Sequence, residues 1–304
     1  MASETAGTTK RSPGRLPDFL IIGAAKAGTT SLHGYLEKHP QVFVSADKEP
    51  CFFDSAVAWD RGVDWYRSLF ADAQPGQLCG EASTNYTRYP QVPDVPERIA
   101  ALTPDVKLIY MMRHPVDRAY SHYLQRHQKE LHPDQPTNSP FEEFVERDPL
   151  CVDGSDYRLQ IGRYLPHFPR SSFLFLNMAE LKSPQSVFDK TLRFLELDPM
   201  EVPAVDSWRV NRSSDYQATV IRDQITRPLR EFRVVRAVSR ALPQRVKDGA
   251  YQVLRRSSYG NKVSDRFEPP PMRQETRAKL LERYRDSNRY VREELGVSTA
   301  GWDQ

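Results

Sequence analysis

The segment from Asp18 to Tyr35 constrains the fold more than any other part of the chain. It reads Asp-Phe-Leu-Ile-Ile-Gly-Ala-Ala-Lys-Ala-Gly-Thr-Thr-Ser-Leu-His-Gly-Tyr. An apolar run, a glycine-rich turn and a helix-like pattern follow one another, which predicts a buried strand, a tight loop and the first turns of a helix. Such a loop offers backbone N–H groups and a helix N-terminus to an anion. The segment therefore predicts a phosphate-binding cradle.

The lysine of this loop is displaced from its usual position. In a nucleoside-triphosphate P-loop, the second of two spaced glycines is followed at once by a lysine. Here Gly23 and Gly28 keep the glycine spacing, but Thr29 stands where the lysine would be, and Lys26 lies inside the loop. Because the usual lysine for the β- and γ-phosphates is missing, the sequence predicts a nucleotide other than ATP or GTP.

Strand-like apolar runs alternate with helical patterns along the chain, which predicts βαβ units. Strands are predicted over 19–22, 42–44, 78–81, 106–112 and 173–176, and helices over 29–38, 184–195, 218–241 and 274–295. Another helix begins at Pro115 and carries one apolar stripe, formed by Val116, Ala119, Tyr120, Tyr123, Leu124 and His127. The predicted fold class is α/β: a P-loop-like three-layer fold in which helices flank a central, mostly parallel sheet.

Residues 1–17 are polar and lack the apolar core of a signal sequence, so they are predicted to form a flexible N-terminal tail. No window approaches the length of apolar sequence that a membrane-spanning helix needs, so no transmembrane segment is predicted. The three cysteines Cys51, Cys79 and Cys151 are too few and too scattered for a disulfide framework or a zinc site. They are predicted to be buried, reduced thiols of a cytoplasmic protein with no metal site.

Charge is spread unevenly although the formal net charge is only +3. Residues 209–266 hold 14 Lys and Arg against 5 Asp and Glu, a net charge of +9, which leaves +3 − 9 = −6 for the rest of the chain. This asymmetry is typical either of an anionic partner (a nucleotide phosphate, an acidic acceptor or a lipid surface) or of a solvated arginine-rich helix face. Nucleic-acid binding is not expected, because aromatic residues do not alternate with the basic ones as stacking platforms require.

A second anion-binding element follows the strand predicted over 106–112. Arg113 stands at the end of this strand, where ligands of open α/β sheets bind, and a guanidinium can hold a phosphate through two N–H bonds. Ser121 falls off the apolar stripe of the next helix, which leaves its hydroxyl to donate. An isolated arginine at a strand end is usually an ion-pair partner, but together with the first loop it predicts a nucleotide site.

In this order the motifs resemble those of sulfotransferases that use 3′-phosphoadenosine 5′-phosphosulfate (PAPS), in particular the heparan sulfate and related carbohydrate branch. Residues 22–32 resemble the 5′-phosphosulfate loop, and the Arg-His-Pro-x-x-Arg-x-x-Ser-x-Tyr motif of residues 113–123 resembles the 3′-phosphate motif. Lys-Glu-Pro-Cys-Phe-Phe-Asp at 48–54 is similar to a glutamate-containing segment of that branch. Gly80 to Tyr86, Gly162-x-Tyr164 and the ending from Leu295 to Trp302 also recur there. The resemblance implies a single sulfotransferase domain over 18–304, in which residues 203–271 form a helical, acceptor-binding elaboration.

The resemblance also implies a reaction and a set of site residues. A sulfuryl group would pass in line from PAPS to a hydroxyl or amine of a small-molecule, glycoside or saccharide acceptor, with no metal. Glu49 matches the catalytic glutamate and would act as the base, while Lys26 would neutralise the leaving group. The implied nucleotide-binding residues are Lys26, Ala27, Gly28, Thr29, Thr30 and Ser31 on the 5′ side, with Arg113 and Ser121 on the 3′-phosphate.

The chain departs from the branch at two positions. Cys51 stands where relatives often have a histidine, and Ala82 where they often have a lysine, so a second cation for the leaving group is missing. Asp54 and Glu81 are second-choice carboxylates. From the local sequence alone, the favoured interpretation of Glu49 is a surface carboxylate paired with Lys48; the resemblance to the family favours the catalytic role instead.

Two other functions remain open at this point. One is a P-loop kinase of small molecules, which would bind ATP with Mg²⁺. The other is a non-catalytic anion- or lipid-binding module that uses the basic residues between 209 and 266. The preferred interpretation is a soluble, bacterial-type enzyme. The sequence does not identify its acceptor or its oligomeric state, and a homo-oligomer is possible.

Overall fold

The structure is a computed structural model that describes residues 14–45, 47–130, 139–202, 222, 225–226, 244–267 and 270–304. The five strands of the described residues form one sheet in the order β2-β3-β1-β4-β5, and all neighbouring strands are parallel. The strands are β1 (Phe19–Gly23), β2 (Val42–Val44), β3 (Leu78–Ala82), β4 (Lys107–Met112) and β5 (Phe173–Asn177). The predicted α/β class with a central parallel sheet is confirmed.

Helices follow the strands in the described part of the chain. They are α1 (Thr29–Leu36), α2 (Gly62–Ser68), α3 (Val95–Leu102), α4 (Pro115–Glu130), α5 (Phe141–Arg147), α6 (Leu150–Asp153), α7 (Tyr157–Gly162), α8 (Pro184–Leu195), α9 (Gln244–Arg255), α10 (Ser258–Phe267) and α11 (Gln274–Glu293). Short 3-10 helices span Trp59–Arg61, Thr84–Thr87, Arg170–Ser172 and Met178–Lys182. Apart from residues 222, 225 and 226, the predicted helix over 218–241 lies outside the described residues, as does most of the proposed elaboration over 203–271.

The sheet is buried because its strands are apolar on both faces, as a parallel sheet covered by helices requires. All five residues of β1 are buried, and so are the last five of β4. The predicted strands differ from the observed ones by about one residue at their ends. Gly23, Ala82 and Asn177 end their strands with a small or polar side chain, which an apolar run does not mark.

The described residues fall into two compact units. The first draws on Met1–Arg118, Val152–Ala204 and Leu281–Gln304, and contains the whole sheet. The second draws on Ala119–Cys151 and Val205–Leu280. The single sulfotransferase domain expected over 18–304 stays a prediction.

Two further findings concern expectations from composition. Cys51, Cys79 and Cys151 are all buried and none of them forms a disulfide. Among the described helices, none is both long enough and apolar enough to cross a membrane.

Candidate active site

The backbone at two positions around the loop between β1 and α1 allows only glycine. Gly23 has a φ of 152°, and a Cβ there would lie 2.1 Å from the Thr87 hydroxyl oxygen. Gly28 has a φ of 92°, and a Cβ there would lie 2.7 Å from Leu181 Cδ1. Lys26 adopts a left-handed φ of 71° without being glycine. The loop is therefore held in a tight curve, as a phosphate cradle requires.

Helix α1 begins directly after this curve. Gly28 is its N-cap and supplies no side-chain hydrogen bond to the first turn. The first N–H groups of a helix have no partner within the helix, and they carry its positive end. Thr29 is buried, Thr30 is exposed and Ser31 is half-buried at this end. The uncapped N-terminus is thus suited to an anion.

Arg113 lies beside the loop. It follows β4 directly, and its Nη1 donates to the Lys26 carbonyl at 3.4 Å. Its backbone is fixed by Tyr157, whose hydroxyl donates to the Arg113 carbonyl at 2.6 Å and accepts from its N–H at 3.1 Å. Burial lowers the pKa of the Arg113 guanidinium, but an arginine keeps its charge in proteins. The structure therefore brings together Lys26 and Arg113, which the sequence separates by 87 residues.

Arg118 is a second arginine of the site that the sequence analysis did not select. Only 2% of its surface is exposed. Its Nε donates to Ser155 Oγ at 2.6 Å, and its Nη1 donates to the Ala25 carbonyl at 3.3 Å. Two arginines thus hold consecutive carbonyls of the loop. The signal was present in the sequence, because Arg118 is the second arginine of the Arg-His-Pro-x-x-Arg motif.

Ser121 lies on α4 in the second unit, and its assignment to the 3′-phosphate stays a prediction. Its side chain is buried, with 9% of the surface exposed, although it falls off the apolar stripe. Val116, Ala119 and Tyr123 of the apolar stripe are buried, and the polar Arg118 and His122 beside the stripe are buried as well. Polar residues can be buried on a helix when partners satisfy them, as Ser155 does for Arg118.

Glu49 lies in the turn that follows β2. It has a left-handed φ of 54° and an exposed side chain, and Thr84 Oγ1 donates to its Oε1 at 3.4 Å. Among the described residues, no ion pair joins Glu49 to Lys48. A cavity of about 350 Å³ opens here, lined by Asp47, Lys48, Glu49, Pro50, Val57, Ala58, Arg61 and Trp65.

The two second-choice carboxylates lie in the interior. Asp54 is 2% exposed and accepts from the Ala56 N–H and the Asn85 amide, both at 3.0 Å. Glu81 is fully buried; Tyr66 and Tyr86 donate to its Oε1 at 3.1 and 2.6 Å, while its Oε2 has no partner in the described part of the chain. Neither carboxylate is open to an acceptor, so the geometry favours Glu49 of the three.

The pKa of Glu81 is raised to about 7. Burial is the main cause and the charge of Glu49 adds to it, while the hydrogen bonds to the carboxylate act in the opposite direction. Burial also raises the pKa of the Cys51 thiol to about 12. A buried, neutral thiol cannot take the place of the histidine that related enzymes often have here. Ala82 ends β3 and offers no cation.

Comparison with known proteins agrees with this geometry. A family model described as the sulfotransferase domain matches residues 16–219. The human heparan sulfate glucosamine 3-O-sulfotransferase 3B1 is 37% identical over 193 residues, which cover 60% of this chain and 47% of that protein. The human bifunctional heparan sulfate N-deacetylase/N-sulfotransferase 3 is 30% identical over 203 residues, covering 61% of this chain and 23% of that protein.

A solved structure is similar as well. The sulfotransferase from Alicyclobacillus acidocaldarius is 27% identical, with a TM-score of 0.56, and the match covers 68% of this chain and 90% of that one. The chain spans about half the length of the heparan sulfate 3-O-sulfotransferases that it matches. The match of the family model over most of the chain, on a fold that carries the expected loop, shows that this protein belongs to the family of PAPS-dependent sulfotransferases and resembles its heparan sulfate branch.

Proposed function

We propose that this chain transfers a sulfuryl group from PAPS to a hydroxyl or amine of a saccharide, glycoside or other small-molecule acceptor. The observation that carries the proposal is the contact between the two anion-binding elements, in which Arg113 donates to the carbonyl of Lys26. A loop with its lysine inside the curve, next to a separate arginine, suits a nucleotide that has phosphates at two positions and lacks a γ-phosphate.

The residues of the site fit this nucleotide. The uncapped N-terminus of α1, from Thr29 to Ser31, and the N–H groups of the loop would hold the 5′-phosphate. Lys26 would bind next to the bridging oxygen, and Arg113 with Ser121 would hold the 3′-phosphate. When bound, PAPS supplies the sulfuryl group and is left as adenosine 3′,5′-bisphosphate.

Glu49 is proposed as the base. Its side chain is exposed beside the cavity, so an acceptor hydroxyl or amine can reach it. Thr84 donates to Oε1, and Oε2 is the oxygen that would accept the proton. The protein makes two contributions to the reaction. It removes this proton while the acceptor is held in place, and its cations offset the charge on the leaving group.

A saccharide acceptor is supported by the similarity to heparan sulfate sulfotransferases, whose acceptor is a saccharide. It is further supported by the cavity itself, where Arg61 lies 3.7 Å over the ring of Trp65. The guanidinium of Arg61 can still donate through its N–H groups to polar or anionic substituents of an acceptor. The cytoplasmic location suggested by the sequence stays a prediction.

The test uses radiolabelled PAPS with a heparan sulfate oligosaccharide, and in parallel with an extract of the source organism. Glu49→Gln should lower turnover by roughly 100-fold or more and leave the affinity for adenosine 3′,5′-bisphosphate unchanged. Asp64→Asn, which removes an exposed carboxylate on α2, is the matched control and should keep wild-type turnover. Near wild-type turnover in Glu49→Gln would remove Glu49 as the base.

A further inference from the structure

Three consecutive side chains after β3 hold the loop that carries Glu49. We call residues 83–85 the β3 latch and residues 49–54 the base loop. The Cys51 N–H donates to Ser83 Oγ at 2.9 Å, the Thr84 hydroxyl donates to Glu49 Oε1 at 3.4 Å, and the Asn85 amide donates to Asp54 Oδ2 at 3.0 Å. Each latch residue therefore binds one residue of the base loop, across about 30 positions of sequence.

The base loop needs such a hold because its backbone is strained. Glu49 and Cys51 have φ values of 54° and 49°, and neither is glycine. Left-handed backbone is unfavourable for these residue types and persists where the surroundings fix it, often at functional sites. The latch supplies contacts on both sides of Pro50, since Thr84 binds Glu49 and Ser83 binds Cys51.

The latch itself is anchored to the central strand of the sheet. The Ser83 N–H donates to the Ile21 carbonyl at 3.1 Å, and Ser83 is fully buried. Thr87, in the same short helix as Thr84, donates through its hydroxyl to the Ile22 carbonyl at 3.0 Å. These two carbonyls directly precede the Gly23 loop. The base loop and the nucleotide loop are thus fixed to the same stretch of β1.

We propose that Ser83 and Thr84 are positioning residues of the transfer reaction. Ser83 holds the strained turn in place, and the Thr84 hydroxyl orients the Glu49 carboxylate by binding Oε1, which leaves Oε2 to face the acceptor. Because the latch and the nucleotide loop are both anchored on β1, the latch keeps Glu49 in a fixed position relative to the bound nucleotide. This inference rests on the proposed role of Glu49.

Thr84→Val tests the inference most directly because it removes the hydroxyl and keeps the shape. We expect kcat for sulfuryl transfer to fall roughly 10- to 100-fold, while the KM for PAPS and the affinity for adenosine 3′,5′-bisphosphate stay unchanged. Thr84→Ser restores the donor and should recover most of kcat. Thr191→Val is the matched control, since it removes another buried threonine hydroxyl, which donates to the Val187 carbonyl on α8; it should keep kcat.

A second readout does not depend on any acceptor. In Ser83→Ala, the amide of Cys51 loses its acceptor, so its hydrogen exchange should accelerate by on the order of tenfold. Amides of β4 should keep their protection. Unchanged exchange at Cys51 would contradict the hold of Ser83 on the turn.

The two possible failures can be told apart. Full turnover in Glu49→Gln would refute the base and, with it, the positioning role. Loss of turnover in Glu49→Gln, together with a Thr84→Val kcat no lower than that of Thr191→Val, would refute the latch alone. Failure of Thr84→Ser to recover kcat would also refute the orientation of Glu49 by this hydroxyl.

Discussion

The buried carboxyl of Glu81 should make the stability of the protein depend on pH in a defined direction. Its ordinary pKa of 4.5 rises to about 7 in the folded state, chiefly because burial disfavours the charge. Between these two values the folded state holds a proton that the unfolded state has released. The free energy of unfolding therefore falls as pH rises from about 4.5 to about 7 and is constant, for this group, above that range.

The magnitude follows from the difference between the two pKa values. At about 1.4 kcal/mol per pH unit, a rise from 4.5 to about 7 corresponds to about 3 kcal/mol of unfolding free energy. The Glu81→Gln side chain cannot ionise, and its amide oxygen can still accept from Tyr86. Between pH 5 and pH 8, wild type should therefore lose about 2–3 kcal/mol of unfolding free energy through this group, and the variant should not. The stability of the variant relative to wild type should rise by that amount.

Urea unfolding at pH 5 and pH 8 measures this gain, and tryptophan fluorescence reports on the right region. Trp59 and Trp65 pack on Phe52, which in turn stacks on the Glu81 partner Tyr66. Other titrating groups are present in both proteins and cancel in the comparison. His33 is one of them: burial lowers its pKa, so its contribution to stability is lost as pH falls below about 6.5.

Glu146→Gln, which changes an exposed glutamate on α5, serves as the control and should follow the wild-type pH dependence. The reasoning is refuted if Glu81→Gln and wild type lose the same free energy of unfolding between pH 5 and pH 8.

Two further predictions concern the nucleotide loop. Gly28→Ala should weaken binding of adenosine 3′,5′-bisphosphate at least tenfold in calorimetry. The added Cβ would meet Leu181 at 2.7 Å, and a φ of 92° is unfavourable for alanine. Gly34→Ala is the control: it has open space on α1 and should bind normally. Arg118→Lys should weaken the same binding about tenfold, since lysine has one terminal nitrogen in place of the two that bind Ser155 and the Ala25 carbonyl in a fixed geometry. Unchanged affinity in either variant would show that the loop geometry does not depend on that residue.

The features that sequence could predict are those set by neighbouring residues. The apolar run 19–22, the glycines at 23 and 28 and the helix after them lie within one short segment, and the structure has them as expected. Arg113 was also predictable, because the end of a parallel strand is a general place for ligands. Residues 184–195 form the helix that their pattern indicates.

The features that sequence could not predict depend on distant contacts. The β3 latch joins residues about 30 positions apart, and nothing in the local pattern of Ser83 or Thr84 marks their partners. Glu81 is fully buried although its side chain is ionisable, and the two tyrosines that donate to it, Tyr66 and Tyr86, come from other parts of the chain. The burial of Ser121 was missed for a similar reason: an apolar stripe identifies one side of a helix but not the polar side chains that are buried beside it.

Isothermal titration calorimetry with adenosine 3′,5′-bisphosphate and with ATP and Mg²⁺ tests the central claim most directly. The site built from the Lys26 loop and Arg113 predicts that wild type binds the bisphosphate, that ATP binds at least tenfold more weakly, and that Lys26→Ala and Arg113→Ala each weaken the bisphosphate. Tighter binding of ATP than of the bisphosphate, or equal bisphosphate affinity in wild type and both variants, would contradict the assignment of this site to PAPS.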